Sequence, residues 1–144
     1  MAKVVSVNIS QKVGTRKEPV PAGVFKEGLG LAGDAHAGLL PNRLVSLLAI
    51  ESIAKMKPSG FALAPGDFAE NITTEGIDLH HLPVGTRLKF GQEVVLEVTQ
   101  IGKECHTGCA IRSAIGKCIM PKEGIFAKVQ KGGVISPGDI ITVS

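Results

Sequence analysis

The residues of this chain that can act as nucleophiles or as soft metal ligands are concentrated in one short segment. All three cysteines, Cys105, Cys109 and Cys118, fall within residues 101–118. The thiolate is the reactive form of cysteine, and positive neighbours favour it. The segment therefore predicts either a reactive thiol or a metal-binding site. Its histidine and cationic residues are His106, Lys103, Arg112, Lys117 and Lys122.

Three interpretations of these cysteines remain open at this point. Together with His106 they match the ligand set of a structural zinc site, but Cys105 and Cys109 are separated by three residues and not by the usual two. Alternatively, Cys105 is a single reactive thiol, activated by Lys103 and His106 and by the N-terminus of a helix predicted over residues 107–114. In the third interpretation, the cysteines are small buried apolar residues. A functional role is favoured for Cys105, and Cys109 and Cys118 are its rivals.

Other polar residues are candidates for binding a ligand. His36, in the glycine-rich stretch GDAHAG, is the histidine best suited to line a pocket. Asn71 follows Glu70 in FAENITT, where two polar side chains stand together in a predicted strand, and the pair either faces solvent or belongs to a site. Arg43 and Arg112 are candidate anion ligands. The two remaining histidines are predicted at the surface or in a turn: His80 and His81.

The elements that must position these residues are mostly short strands. Val5, Val7 and Ile9 alternate with polar residues, which is typical of a half-buried strand over Lys3–Ile9. The pattern over residues 86–101 predicts a hairpin with its turn at Gly91-Gln92. We therefore predict a mainly β fold, a closed or nearly closed β-barrel with a few short helices. Further strands are predicted over residues 20–25, 68–74, 125–129 and 140–143, and a strand followed by a helix over residues 43–56.

Composition excludes several classes of protein. With 144 residues, 44% hydrophobic and 20% charged, the chain is expected to form one globular domain over residues 1–144. Aromatic residues make up only 3%, and the net charge of +3 is not gathered in a basic run, so no nucleic-acid partner is expected. No apolar stretch is long enough to span a membrane, and the N-terminus lacks the apolar region of a signal peptide. We expect a cytoplasmic protein with reduced thiols.

Four stretches of the chain carry a resemblance to a known family. They are GLAGDAHAG, NRLVSLLAIESI, GDFAENITTEGIDLHHLPVGTRLKFGQEVVLEVTQIGKECHTGC and GIFAKVQKGGVISPGDIITV. Together they resemble the MOSC family, the molybdenum cofactor sulfurase C-terminal domains, in their small stand-alone prokaryotic form. The resemblance extends from about Ser6 to Val143. It implies a β-barrel-like fold and a role connected with the molybdenum cofactor, a molybdopterin.

The resemblance also implies roles for individual residues. The family cysteine, which carries sulfane sulfur or ligates molybdenum, corresponds best to Cys105, with the segment around Cys118 as the rival placement. Asn71 corresponds to the asparagine of the family's E-N-x-T motif. The chain contains no desulfurase domain, so a partner cysteine desulfurase that uses pyridoxal phosphate is expected to supply the sulfur. The cofactor, or a molybdoenzyme, is the expected acceptor. The implied anion-binding surface comprises Arg43, Lys103, Arg112 and Lys122.

Two alternative functions follow from the same residues. In the first, the chain is a molybdenum-dependent reductase of N-hydroxylated compounds, with Cys105 as the metal ligand. In the second, it is a non-catalytic cofactor-binding module or a zinc-stabilised β domain. A serine hydrolase is not expected, because the chain lacks a G-x-S-x-G nucleophile turn.

Overall fold

The structure is a computed structural model that describes residues 2–10, 17–34, 45–54, 70–101 and 124–143. These residues form eleven β-strands, the α-helix α1 (Ile50–Ala54) and a 3-10 helix (Leu79–His81). The helix predicted over residues 107–114 lies outside the described residues. In chain order the strands are β1 (Lys3–Ile9), β2 (Glu18–Val20), β3 (Gly23–Lys26), β4 (Gly30–Leu31), β5 (Val45–Ala49), β6 (Ile72–Glu75), β7 (Arg87–Phe90), β8 (Val94–Ile101), β9 (Ile125–Lys131), β10 (Gly133–Ile135) and β11 (Ile141–Val143).

The strands form one large and one small sheet. The large sheet has eight strands in the order β11-β7-β8-β9-β5-β6-β1-β2, and the small sheet has the order β10-β3-β4. Among the described strands, β5 and β6 are the parallel pair, and the other pairs are antiparallel. The fold is therefore a mixed β-sheet fold.

Local patterning predicted most of these elements. β1 has the predicted bounds, and β7 and β8 pair antiparallel as the hairpin predicted over residues 86–101. The strand predicted over residues 20–25 is divided, because β2 pairs with β1 in the large sheet and β3 belongs to the small sheet. The chain must therefore turn at Pro21-Ala22. In the region where the strand–helix boundary was open, β5 ends at Ala49 and α1 begins at Ile50.

The prediction of a mainly β fold is confirmed, but no sheet in the described part of the chain is closed into a barrel. β1, the second strand from one edge of the large sheet, approaches the chain just before β11, the strand at the other edge, at one bridge between Lys3 and Ile140. Backbone hydrogen bonds flank it, with Val4 N donating to Asp139 O at 2.8 Å and Gly138 N donating to Val4 O at 2.7 Å. The later residues of β1 pair with β2 from Val7 onward, so only its first residues are available to this contact. The contact therefore does not extend into a full strand pairing.

Apolar side chains from both sheets form one core. Val7, Leu47 and Ile72 contribute from the large sheet, and Phe25 and Ile135 from the small sheet, and all five are fully buried. On β7, successive side chains point to opposite faces of the sheet, so Leu88 and Phe90 are buried in this core while Arg87 and Lys89 are exposed. On β5 every residue is buried, as expected of a central strand covered on both faces.

Candidate functional site

A set of buried polar side chains lies where β5, β6 and β1 meet, and we call it the Asn71 cluster. Ile72, the first residue of β6, pairs with Leu47 of β5 on one side and with Val7 of β1 on the other. This register brings the preceding residue, Asn71, beside Ser46 and Asn8. The cluster consists of Ser6, Asn8, Ser46, Glu70, Asn71 and Thr73, none more than 6% exposed.

Asn71 connects β5 and β1 through both its side chain and its backbone. Its Oδ1 accepts hydrogen bonds from Ser46 N at 2.9 Å and from Ser46 Oγ at 3.1 Å. Its backbone N–H lies 2.9 Å from Ser46 O and 3.0 Å from Ser46 Oγ. On the other side, Asn71 O accepts from Asn8 N at 2.7 Å, and Asn71 Nδ2 donates to Asn8 O at 3.4 Å. Asn71 thus extends the sheet hydrogen bonding by one residue before β6 begins.

The remaining members of the cluster support Asn8 and Glu70. Asn8 Nδ2 donates to Glu70 O at 3.1 Å and to Thr73 Oγ1 at 3.0 Å, and Ser6 Oγ donates to Asn8 Oδ1 at 2.6 Å. The Thr73 hydroxyl in turn donates to Glu70 Oε2 at 2.8 Å. Burial of a carboxylate is costly unless it is hydrogen-bonded, and Thr73 supplies one such bond, to Glu70 Oε2. The interpretation of Glu70-Asn71 as a solvated strand face is therefore wrong, because both side chains lie inside the protein.

Asn71 is the predicted site residue that falls within the described ranges. Its side chain is sealed in the interior and hydrogen-bonded to the neighbouring strands, so its observed role is to position strands, and its contact with a cofactor stays a prediction. The other predicted site residues lie outside the described residues: Cys105, Cys109, Cys118, His106, Lys103, His36, Arg43, Arg112 and Lys122.

The sheet does define where the cysteine segment, residues 102–123, is attached. β8 ends at Ile101, which pairs with Ile125 of β9, and Ile125 pairs with Leu47 of β5. Leu47 pairs in turn with Ile72 of β6, so four neighbouring strands are aligned at this level. Since β5 continues from here into α1, the cysteine segment is anchored at the end of the sheet where α1 begins. Asn71 lies one residue before Ile72, the β6 member of these four aligned residues. β6 is three strand spacings from β8 across the sheet, so Asn71 lies roughly 14 Å from β8.

A buried ion pair was not predicted from the sequence. Lys17 Nζ lies 2.8 Å from Asp34 Oδ1, and the two side chains are 0% and 1% exposed. Ser10 binds both residues, because its Oγ accepts from Lys17 Nζ at 3.0 Å and its backbone N–H donates to Asp34 Oδ1 at 3.0 Å. In the sequence Asp34 follows Gly33, a pair that is typical of an ordinary turn. No local pattern marks a contact between residues this far apart in the chain.

A second polar group outside the Asn71 cluster contains the two histidines that were predicted at the surface or in a turn. His81 is exposed and His80 half-buried, and both belong to the 3-10 helix that follows β6. Their nitrogens face the carboxylate of Asp78. The adjacent pair of histidines in GIDLHH was the sequence signal for this group, and only their distance from Asp78 shows that the three converge.

Comparison with known proteins identifies the family of this mixed β-sheet fold. The family model of the MOSC domain matches residues 32–142, so the chain belongs to the MOSC domain family. The match includes Asn71 and all three cysteines. MOSC domains are associated with molybdenum cofactor-related proteins.

Solved structures with the same fold have low sequence identity to this chain. The YuaD protein from Bacillus subtilis is 20% identical, with a TM-score of 0.80 over 99% of this chain and 96% of that one. YiiM from Geobacillus stearothermophilus is 19% identical, with a TM-score of 0.75 over 100% of this chain and 75% of that one. YiiM from Escherichia coli, also 19% identical, has a TM-score of 0.71 over 100% and 70%. Comparison with curated protein sequences found no match.

One structural finding concerns membranes. No helix in the ranges that the structure describes is both long enough and apolar enough to cross a bilayer.

Proposed function

We propose that this chain binds the molybdenum cofactor and carries sulfane sulfur as a persulfide on Cys105. The observation that carries the proposal is the family match over residues 32–142, which includes the cysteine segment and the E-N-x-T motif at Asn71. The sheet geometry supports it, because the Ile101–Ile125 pair attaches both ends of the cysteine segment to a rigid sheet. A carrier thiol has to be held in place and still be reachable by two successive partners.

Loading of Cys105 is a thiol–persulfide exchange. The Cys105 thiolate attacks the terminal sulfur of a persulfide on a cysteine desulfurase that uses pyridoxal phosphate. A new sulfur–sulfur bond forms on Cys105, the sulfur–sulfur bond of the donor breaks, and the donor cysteine leaves as a thiolate. Lys103 and His106 favour the attacking thiolate by their positive charge. No net oxidant is required, because the sulfane sulfur moves between two thiols.

The residues of the chain are chemically suited to the cofactor. Its phosphate group is matched by cationic side chains, of which Arg43 and Arg112 can make paired hydrogen bonds to phosphate oxygens and Lys103 and Lys122 act as point charges. A cysteine thiolate is a soft ligand for a transition metal. When bound, the cofactor would supply the molybdenum that accepts the sulfur. Asn71 would act indirectly, by holding the start of β6 against β5.

Mass spectrometry tests the sulfur-carrier role. After incubation with a cysteine desulfurase and cysteine, the protein is expected to gain one sulfur atom on Cys105, and the gain should disappear in Cys105→Ser. The matched variants Cys109→Ser and Cys118→Ser should still be loaded. A gain that maps to Cys109 or Cys118 would move the role to that residue. If no cysteine gained a sulfur atom, the proposal would be contradicted.

The same preparation distinguishes the alternative functions. The reductase would be favoured if molybdenum and pterin stayed bound through purification and were lost in Cys105→Ser. Turnover of an N-hydroxylated base would also favour it. One zinc ion per chain whose removal by a chelator unfolds the protein would favour the zinc-stabilised domain.

A further inference from the structure

Asp78, His80 and His81 form a group of potential metal ligands, which we call the Asp–His–His cluster. One ligand atom from each residue lies within 4.8 Å of the others. His81 Nδ1 is 2.5 Å from Asp78 Oδ2, and His80 Nδ1 is 3.4 Å from Asp78 Oδ1. The two imidazole rings are also close, with their centroids 4.2 Å apart. Both histidines therefore direct the same ring nitrogen toward one carboxylate.

The backbone holds this arrangement in place. Leu79, between Asp78 and His80, is 1% exposed and belongs to the core, which anchors the 3-10 helix. His81 N donates to Asp78 O at 3.4 Å, and Leu82 N donates to Leu79 O at 3.0 Å, so the turn is closed by its own hydrogen bonds. The three ligands are thus brought together by a turn that has its own backbone hydrogen bonds and a buried anchor.

The start of this turn is fixed as well. Gly76 has φ of +81°, a left-handed conformation that favours glycine, and its N–H donates to Glu51 Oε2 of α1 at 2.9 Å. The path of the chain from β6 to Asp78 is therefore tied to α1, which follows β5.

The donor set determines which ion fits. Two imidazole nitrogens and one carboxylate oxygen suit Zn²⁺ and the neighbouring divalent transition metals, and are a poor match for Ca²⁺ or Mg²⁺. Ligands at about 2.0–2.2 Å around a tetrahedral zinc are separated by about 3.4 Å from one another. His80 Nδ1 already lies 3.4 Å from Asp78 Oδ1. His81 Nδ1, which is hydrogen-bonded to Asp78 Oδ2 at 2.5 Å, has to move outward by about 1 Å when a metal takes the place of this bond. We propose that the Asp–His–His cluster binds one divalent transition-metal ion, with Zn²⁺ as the ion that its ligands match best.

The surroundings leave room for a further ligand on the metal. A cavity of about 310 Å³ adjoins the cluster, and Asp78 and His80 line it together with Glu51, Ser52 and Ile77. Three protein ligands leave a coordination position open for water or for a small molecule with an oxygen or nitrogen donor. The cluster contains no cysteine, so metal binding by it does not depend on the proposed sulfur transfer.

Cobalt titration of the full chain tests the proposal and separates this site from the cysteines. Co²⁺ replaces Zn²⁺ and reports its ligands, because thiolate ligation adds a strong sulfur-to-metal absorption that nitrogen and oxygen ligands lack. We expect one equivalent of Co²⁺ to bind without that absorption, and to broaden the imidazole NMR signals of His80 and His81 among the four histidines. Selective broadening of His36 or His106, or binding only with sulfur-to-metal absorption, would overturn the proposal.

Substitutions provide a second, independent measurement by calorimetric titration with Zn²⁺. The side chain of His81 is 71% exposed, so His81→Ala removes a ligand without disturbing the core. We expect the zinc affinity of this site to fall by at least about tenfold in His81→Ala and in Asp78→Asn. Glu75→Gln is the matched control, because Glu75 is an exposed carboxylate outside the cluster that pairs with Lys3. Equal zinc affinity in all of these variants would show that the metal binds elsewhere.

Discussion

Asn71 Oδ1 accepts hydrogen bonds from both the backbone N–H and the hydroxyl of Ser46, at 2.9 and 3.1 Å. The two residues lie one position before Leu47 and Ile72, with which the parallel pairing of β5 and β6 begins. The side-chain hydrogen bonds thus reinforce the backbone hydrogen bond from Asn71 N to Ser46 O at the point where the parallel register starts. Since the same residue also binds Asn8 of β1, its removal would disturb three strands together.

Asn71→Ala is expected to lower the free energy of unfolding by about 2–3 kcal/mol, because it removes the side-chain oxygen that accepts two buried hydrogen bonds from Ser46. Gln130→Ala is the control. It removes one half-buried hydrogen bond, from Gln130 Nε2 to Glu97 Oε1 at 2.8 Å, and is expected to cost about 1 kcal/mol or less. Denaturant unfolding measures both variants. Wild-type stability combined with weak cofactor binding in Asn71→Ala would instead make Asn71 a direct ligand.

The buried Lys17–Asp34 pair predicts a large and non-additive effect. Lys17→Met or Asp34→Asn alone is expected to cost about 3–5 kcal/mol, because either change leaves a buried group without its main partner. The double variant should cost less than the sum of the two single variants. The exposed pair Lys3–Glu75, at 3.3 Å, is the control, and Lys3→Met should cost less than about 1 kcal/mol. Additive losses at Lys17 and Asp34 would contradict a direct coupling.

Gly23 is expected to be needed for the contact between the two sheets. A Cβ atom at this position would lie 2.6 Å from Leu31 Cδ1 and 2.8 Å from Val7 Cγ1, so Gly23→Ala should destabilise by about 1–3 kcal/mol through overpacking. A Cβ atom at Gly28 would meet open space, but the backbone there has φ of +75°. Gly28→Ala should therefore destabilise the fold by about 1–2 kcal/mol through backbone strain alone. Thermal or denaturant unfolding in a Leu31→Val background separates these causes. The loss at Gly23 should shrink and that at Gly28 should not, and an unchanged loss at Gly23 would exclude overpacking against Leu31.

Cofactor binding is expected to depend on particular arginines and not on net charge. Arg43→Ala and Arg112→Ala should each weaken binding of the isolated molybdenum cofactor by about tenfold or more, because each would remove charge-assisted hydrogen bonds to its phosphate. Arg87→Ala is the matched control, with the same change of charge at a side chain that is 61% exposed and 3.7 Å from Glu97. Equilibrium titration with the cofactor in the absence of oxygen measures the affinity of all three variants. Equal losses in the three variants would indicate a general electrostatic effect.

The elements that sequence predicted well are those defined by local patterns. Alternation predicted β1 and β8, and the residue types around Gly91 predicted the β7–β8 hairpin, because side-chain periodicity and turn conformation involve only neighbours in the chain. The candidate site was predicted only as far as residue chemistry allows. The reactivity of Cys105 is inferred from the charged residues beside it in sequence. Cys105 and these neighbours lie outside the residues that the structure describes.

The Asn71–Ser46 contact joins residues 25 positions apart, and the Lys17–Asp34 pair joins residues 17 positions apart. Contacts of this kind depend on the strand order of the fold. In the large sheet, β6 lies between β5 and β1, although both β5 and β6 follow β1 by dozens of residues. The same order limits the contact between β1 and β11, which explains why the predicted barrel closure is not found.

The amino-acid sequence by itself determined the mainly β character of the chain, its MOSC resemblance and the concentration of its thiols, because propensity, motif and composition are properties of neighbouring residues. Only the tertiary structure decided that Glu70 and Asn71 face the interior, that Lys17 meets Asp34, and that His80 and His81 converge on Asp78. The first two contacts depend on which strands become neighbours, and that choice is made by the packing of the whole core. The convergence on Asp78 depends on the conformation of the 3-10 turn, which the buried Leu79 anchors to that core.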